Sequence, residues 1–121
     1  MAWIRGAICA ENNVESIKEK TLKLFDAVVL KNGLNLCDIE AILFTVTKDI
    51  DACYPAKFVR EGHVELSNVS FMCTQEMDVV GSLQKCIRIC VVTNSKFSQK
   101  DVYHCYLDGA ERLRPDLQQF I

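Results

Sequence analysis

The sequence has few residues that break regular structure, with 2 prolines and 5 glycines among its 121 residues. It lacks a stretch approaching the roughly 18 apolar residues of a membrane span, and a basic then apolar N-terminus that would indicate secretion. We therefore expect a cytoplasmic protein that does not bind membranes. Half of its residues are hydrophobic and a quarter are charged, which predicts one globular domain over residues 1–121 with a modest core.

Charge of one sign is nowhere concentrated. The formal net charge is -2, with acids and bases interspersed, and no run of Lys or Arg could follow a phosphate backbone. We expect no nucleic-acid partner. A small domain buries too little surface to form a deep pocket easily, so a pocket completed by a second copy of the chain is a reasonable expectation.

Several chemical signatures are also missing. There is no glycine-rich phosphate loop, no Gly-x-Ser-x-Gly and no His-Glu-x-x-His, which removes most common hydrolases, transferases and dehydrogenases. The seven cysteines contain no Cys-x-x-Cys pair, and neither His63 nor His104 lies at a zinc-finger spacing from them. We predict reduced, buried thiols and no metal at these positions: Cys9, Cys37, Cys53, Cys73, Cys86, Cys90 and Cys105.

The hydrophobic pattern predicts an α+β fold in which one long helix packs on one face of a mixed sheet. The helix should cover residues 14–31, begin at Asn12 or Asn13 and end at Gly33, since apolar residues recur there at helical spacing. A short helix should start at Pro55 and end at Gly62. Residues 81–85 form a turn or a short helix, and strands are predicted at residues 2–9, 41–47, 69–73, 86–93 and 102–107.

Two arginines lie within predicted apolar strand faces. Alternation places Arg5 on one face with Trp3 and Ala7, and it places Arg88 with Cys86 and Cys90. A half-buried guanidinium needs an anionic partner, since an unpaired buried charge costs roughly 3–5 kcal/mol. The alternative is that each arginine lies on an edge strand and extends into water.

Further polar residues favour a small anion as that partner. Lys57 and Arg60 share one face of the short helix, three residues apart. Glu76 follows a strand among apolar residues and either pairs with an arginine or receives a hydroxyl of the ligand. Tyr106 is either a core aromatic or a donor to a carboxylate, and Cys73 is most simply a small buried side chain.

Five short stretches follow one another over nearly the whole chain: Ile-Arg-Gly-Ala at 4–7, Tyr-Pro-Ala-Lys-Phe-Val-Arg-Glu at 54–61, Cys-Thr-Gln-Glu-Met-Asp-Val at 73–79, Lys-Cys-Ile-Arg at 85–88, and Tyr-Leu to Leu-Arg-Pro-Asp-Leu at 106–117. In sequence and in order they resemble the monofunctional, trimeric chorismate mutases of the Bacillus type. The resemblance implies an isomerase that converts chorismate to prephenate, in aromatic amino-acid biosynthesis, without a cofactor. It also implies a homotrimer packed as a pseudo-barrel, with each active site between two subunits.

The resemblance assigns roles by matched position. Arg88 would contact the ether oxygen and the enolpyruvyl carboxylate, Arg5 and Tyr106 that carboxylate, and Glu76 with Cys73 the ring hydroxyl. The adjacent subunit would supply Tyr54, Ala56, Lys57 and Arg60, and other residues would line the substrate site: Met72, Thr74, Gln75, Leu113 and Arg114. Two alternatives remain: a trimeric small-molecule-binding or imine-hydrolysing protein of similar architecture, and a redox or metal module built on the cysteines.

Overall fold

A five-stranded mixed sheet is the central element of the computed structural model, which describes residues 1–94, 96 and 98–117. Its strands are β1 (Ala2–Cys9), β2 (Ile39–Val46), β3 (Ser70–Gln75), β4 (Cys86–Thr93) and β5 (Cys105–Leu107), in the spatial order β3-β2-β4-β1-β5. β4 is antiparallel to its neighbours β1 and β2, while the outer strands β3 and β5 run parallel to theirs. The predicted α+β class is confirmed.

The long helix α1 (Val14–Asn32) begins at the predicted residue and has predicted capping residues, Asn13 and Gly33, at its two ends. The Asn13 side chain accepts a hydrogen bond of 2.8 Å from the Ser16 amide, which satisfies one of the free donors of the first turn. At the other end Gly33 has φ 56, a left-handed conformation that glycine adopts at low cost. The helix therefore ends one residue later than predicted, and it buries Ile17, Thr21, Leu24, Phe25 and Val28.

A second helix, α2 (Ala56–Gly62), follows Pro55, whose φ of -60 already suits a helix. It packs beside α1 and against β3, and it buries Ala56 and Val59 in the main core. The same packing leaves Lys57 and Arg60 exposed. The predicted short helix is confirmed.

The core lies on the side of the sheet that α1 covers. Strand side chains alternate between the two faces. On the covered face, those near the centre of the sheet are almost completely buried: Ile4, Ile8, Ile42, Phe44, Ile87 and Val91. The other side, which we call the open face, carries Arg5, Leu43, Thr45, Arg88 and Cys90 near its centre. Two large side chains at its margins are widely exposed: Trp3 at 50% and Met72 at 61%.

The last strand is shorter than predicted. The sequence pattern suggests residues 102–107, whereas only Cys105–Leu107 pair with β1. Just before β5 the backbone pairs with a side chain and not with a strand. The Tyr103 amide donates a 2.7 Å hydrogen bond to the Asn32 side-chain oxygen, and the Asn32 side-chain nitrogen donates a 3.0 Å hydrogen bond to the Tyr103 carbonyl. Gly6 allows the close approach of β5, because a Cβ there would lie 2.5 Å from the Cys105 carbonyl oxygen.

Other boundaries move by one or two residues. β2 begins at Ile39 rather than 41, and β3 runs from Ser70 to Gln75 rather than 69–73. Residues 81–85 form an irregular connection, with φ 80 at Gly81 and φ 51 at Lys85, so the turn is the correct alternative. In the part of the chain that the structure describes, no helix is long and apolar enough to cross a membrane.

All seven cysteines are free thiols in the structure. Only Cys86 and Cys105 are buried, and burial raises the pKa of each to about 11. Cys37 is exposed and the other four are half-buried, so the predicted burial is complete at two positions only.

Candidate active site

The open face of the sheet contains a cleft that we call the arginine cleft. It has a volume of about 250 Å³ and contains four of the residues singled out in the sequence, Arg5, Glu76, Arg88 and Tyr106. β1 supplies Arg5, β4 supplies Arg88, and β5 supplies Tyr106. The remaining wall is formed by Gly6, Leu43, Thr45, Ile89 and Cys90. Both predicted strand arginines therefore reach one site.

Glu76 lies directly beside Arg88. Its Oε2 atom is 3.3 Å from Arg88 Nε, so the two form an ion pair. The contact is electrostatic, because Arg88 Nε is buried and has no hydrogen-bond partner among the described residues. Of the two side chains, 37% of Arg88 and 25% of Glu76 remain exposed, which leaves both accessible to a ligand. Glu76 therefore pairs with an arginine, as one of the two sequence-based alternatives predicts, and the cleft stays open to a ligand.

Arg5 is exposed, in contrast with the half-buried position that its strand pattern predicts. Its backbone amide donates a 3.0 Å hydrogen bond to His104 Nδ1, which attaches the segment before β5 to β1. Burial and the nearby cations of Arg5 and Arg114 lower the pKa of His104. The imidazole therefore remains a neutral acceptor near neutral pH, and no direct role at the cleft is needed to explain it.

Tyr106 closes one end of the arginine cleft. It is 5% exposed and packs with Ala7, Cys86 and Ala110, and the half-buried Leu113 covers the same cluster. Arg114 follows and forms a two-point ion pair with Asp116, with contacts of 2.7 and 3.0 Å. Leu113 and Arg114 both lie near Tyr106, Leu113 through packing and Arg114 through an electrostatic interaction.

A second cleft, which we call the lysine cleft, lies between α2 and β3. It also has a volume of about 250 Å³, and its lining contains Lys57 and Arg60 together with Tyr54, Ala56, Phe71, Met72 and Cys73. Thr74 and Gln75 line an adjoining cleft with Tyr54 and Cys73. The predicted site residues thus divide into two groups on one chain.

Cys73 belongs with the lysine cleft and not with Glu76. It is paired with Phe44 in the β2–β3 register, so its side chain points to the helix-covered face, whereas Thr45 and Thr74 point to the open face. Burial raises the pKa of Cys73, while the Ala56 amide and Arg60 oppose that change. A half-buried neutral thiol is the result.

The arginine cleft and the lysine cleft, at about 250 Å³ each, are small for a ligand site, because such pockets usually have volumes of roughly 300–1,000 Å³. Each also presents cations: Arg5 and Arg88 in one, Lys57 and Arg60 in the other. The arrangement can bind a compact anion with two negatively charged groups, provided that both clefts contribute. Among the described residues no group of three or more His, Cys, Asp or Glu side chains could hold a metal ion.

Thr45 is a cleft residue that the sequence reasoning missed. Its hydroxyl donates a 2.9 Å hydrogen bond to Glu76 Oε2. In the sequence it lies within a dense apolar strand, where a threonine suits the strand itself. Alternation with Leu43 would have placed it on the open face, but only knowledge of the register places it opposite Arg88.

Residues 1–117 match the family described as "Chorismate mutase type I". Two curated relatives carry the name "Chorismate mutase AroH". The one from Bacillus subtilis (strain 168) is 38% identical over 118 residues, covering 94% of this chain and 90% of the relative. The one from Thermus thermophilus is 36% identical over 117 residues, covering 95% and 94%.

A solved structure gives the same result. A chorismate mutase from Clostridium thermocellum superimposes with a TM-score of 0.87 at 42% identity, covering 93% of this chain and 99% of that one. The resemblance read from the five sequence stretches is confirmed. The chain belongs to the type I chorismate mutases, a family of isomerases.

Proposed function

We propose that this chain, acting in the cytoplasm, rearranges chorismate to prephenate, in a site that two subunits of a homotrimer share, without a cofactor or metal. The observation that supports it best is the arginine cleft, where two strand arginines, Glu76 and Tyr106 surround one open space. The family membership gives the reaction. A protein that only bound an anion would not need a carboxylate 3.3 Å from its central cation.

The reaction explains the side chains in the cleft. The rearrangement is concerted: it breaks a carbon–oxygen bond and forms a carbon–carbon bond, with no proton transfer. The chain therefore needs no nucleophile or general base. It needs to hold the compact conformer of the substrate and to oppose the negative charge that develops on the ether oxygen.

In this proposal the arginine cleft holds the reacting atoms. Arg88 faces the ether oxygen and the enolpyruvyl carboxylate, because a guanidinium is always charged and presents a rigid set of donors. Arg5 and Tyr106 bind that carboxylate from β1 and β5, while Glu76 accepts a hydrogen bond from the ring hydroxyl. Leu113 and Arg114 shape the end of the cleft beside Tyr106.

The lysine cleft of a neighbouring subunit completes the site in the proposed trimer. Lys57 and Arg60 then balance the second carboxylate, and Cys73 approaches the ring hydroxyl from the neighbouring chain. The remaining contacts come from Tyr54, Ala56, Met72, Thr74 and Gln75. Three features support this assembly: two clefts of about 250 Å³ on one chain, the cations in both, and an uncovered sheet face with Trp3 at 50% exposure.

The decisive experiment follows chorismate absorbance with purified protein, in the presence and absence of a chelator. We expect prephenate to form at the same rate in both samples, since every proposed contact is made by a side chain of the protein. Absence of turnover by the correctly folded protein would contradict the proposed function. Loss of activity on chelation, with recovery on adding metal, would contradict its metal-free mechanism.

A further inference from the structure

Thr45 lies at the point where the carboxylate and the central cation of the cleft meet. We propose that Thr45 is a positioning residue: its hydroxyl holds Glu76 in an orientation that keeps the Arg88 guanidinium available to the substrate. This inference rests on the proposed function and adds a determinant to the same site.

The register of the sheet explains why Thr45 can reach both groups. It lies directly opposite Arg88 on β4 and opposite Thr74 on β3, so its side chain projects onto the open face between them. The Glu76 amide donates a 2.8 Å hydrogen bond to the Val46 carbonyl, which extends the β2–β3 pairing by one step. The backbone thus places Glu76 beside the Thr45 hydroxyl before any side-chain contact forms.

The Glu76 carboxylate is held at both of its oxygens. The Met77 amide donates to Oε1 at 3.0 Å, and the Thr45 hydroxyl donates to Oε2 at 2.9 Å. Arg88 Nε is 3.3 Å from the same Oε2 but makes no hydrogen bond to it. Both oxygens of the Glu76 carboxylate therefore accept a hydrogen bond from Thr45 or Met77. The interaction of this carboxylate with Arg88 Nε is only electrostatic.

Removal of the Thr45 hydroxyl should change how the Glu76 carboxylate interacts with Arg88. A carboxylate that loses a donor gains most by turning toward the nearest cation, because a two-point contact between arginine and a carboxylate is stronger than a single contact. Glu76 would then occupy the donors of Arg88 that should face the developing charge on the substrate. The loss should fall mainly on kcat, since an interaction made in the transition state is weakened.

Two substitutions at this position separate the hydroxyl from the shape of the side chain. Thr45→Val keeps the shape and removes the donor, and we expect kcat to fall about ten- to a hundredfold, the range expected for a hydrogen bond to a charged group. Thr45→Ser keeps the donor and should remain within about threefold of the parent, because the contact to Glu76 is retained. Equal losses in both variants would overturn the proposal, as would a Thr45→Val enzyme with parental kcat.

Thr47 provides the matched control. It lies two residues further along the chain, is buried, and uses its hydroxyl for structure, since it donates to Asp49 and accepts a 3.0 Å bond from the Cys86 amide. Thr47→Val should lower the melting temperature while kcat stays within about threefold. If its kcat fell as far as that of Thr45→Val, the effect at Thr45 would be a general loss of stability, and the proposal would fail.

A double-mutant cycle tests whether Thr45 acts through Glu76. In a Glu76→Gln background the amide has no charge to turn toward Arg88, so Thr45→Val should cost less than about threefold. High enzyme concentrations make slow variants measurable. An undiminished loss would mean that Thr45 contacts the substrate directly, which contradicts a positioning role. An inactive parent enzyme would instead contradict the proposed function, so the two failures are distinguishable.

Discussion

Arg88 is half-buried and lies beside Glu76, whereas Arg5 is exposed at the edge of the same cleft. In the proposed site Arg88 faces the ether oxygen of the substrate, where negative charge grows only as the carbon–oxygen bond stretches. Loss of Arg88 should therefore lower kcat more than it raises KM. We expect Arg88→Ala to lower kcat by at least ~10²–10³-fold, the usual effect of removing one donor to a developing oxyanion. A near-normal kcat with only a raised KM in steady-state kinetics would remove Arg88 from this role.

The Arg88→Lys variant tests geometry separately from charge. Lysine keeps the positive charge but presents it as a point on a flexible stem, so it cannot reproduce the rigid donors of a guanidinium. We expect this variant to remain well below the parent in kcat. A Lys variant with more than about half the parental kcat would show that charge alone is sufficient.

Arg5 should show the opposite division between kcat and KM. The carboxylate that it is proposed to bind is charged in both the ground state and the transition state, so this contact lowers the free energies of the two states by similar amounts. Arg5→Ala should therefore raise KM by a larger factor than it lowers kcat. Parallel measurements on Arg88→Ala and Arg5→Ala check this, and identical patterns in the two variants would contradict the division of roles.

His104 should make stability depend on pH. Its pKa is lowered in the folded protein, chiefly by burial and then by Arg5 and Arg114, so the unfolded chain binds a proton more readily. The contribution is complete above the unfolded value of 6.5 and is lost as the pH falls below it through the lower, folded value. His104→Asn keeps an acceptor for the Arg5 amide without titrating there.

Urea unfolding at pH 7.5 and at pH 5.5 measures this effect. The parent protein should lose more of its free energy of unfolding between the two pH values than His104→Asn loses. The same loss in both proteins would assign the acid sensitivity to other groups.

The site residues differ in how far the sequence reveals them. Arg5, Arg88 and Glu76 could be found because a charge within an apolar strand pattern is chemically unusual. Thr45 could not be found in this way, since threonine is common in strands and its importance depends on the β2–β4 register. The position of Cys73 follows from alternation, which sets it on the face opposite Thr74 and therefore away from Glu76.

At the scale of elements, the contact between β1 and β5 depends on Gly6. A Cβ there would be 2.5 Å from a backbone oxygen of Cys105 and 3.0 Å from Leu24, and the backbone oxygen cannot move without displacing β5. Gly6→Ala should lower the free energy of unfolding by about 1–3 kcal/mol, as overpacking generally does. It should also lower activity, because Tyr106 lies on β5.

Gly62→Ala is the control for this prediction. A Cβ at that position would meet nothing within 4 Å, so urea unfolding should show little change or a slight stabilisation from the better helix former. Similar losses at both positions would mean that the crowding at Gly6 relaxes freely.

The bounds of β1 and β4 are the ones that the sequence predicts, and among the helices strong end signals made α1 nearly as predictable. α1 has Asn13 at its start and Gly33 after its end, and its predicted and observed bounds differ by one residue. β5 lacked such signals. Its apolar pattern extends back to residue 102, but the backbone amide and carbonyl of Tyr103 form hydrogen bonds with the side chain of Asn32, 71 residues earlier in the sequence, instead of with β1. A contact so distant in the sequence is invisible to local patterns.

At the scale of the whole molecule, one chain carries two incomplete clefts on different parts of its surface. The small size of the chain already favoured a pocket completed by a second copy, but only the resemblance assigned residues to the two chains, because no local pattern tells which cations face the same space. The structure separates Arg88 from Lys57 and Arg60, and this separation makes the proposed assembly directly testable. A site built from two chains can be repaired by combining two different defective chains.

Mixed trimers provide that test. Arg60→Ala damages the lysine cleft and Arg88→Ala damages the arginine cleft, so each pure variant should be nearly inactive. If the chains are unfolded together at equal concentrations and refolded, about one quarter of the sites in randomly assembled trimers would combine an intact arginine cleft with an intact lysine cleft. Activity should therefore return to about that fraction of the parent value.

The matched control combines Arg5→Ala with Arg88→Ala. Both residues belong to the arginine cleft of one chain, so every site in this mixture lacks one of them, and mixing should restore no activity. Recovery with the first pair and none with the second is the pattern that only a shared site produces. If the first mixture stays inactive although both chains refold and co-assemble, Arg60 and Arg88 do not act across an interface, and the two-subunit site is wrong.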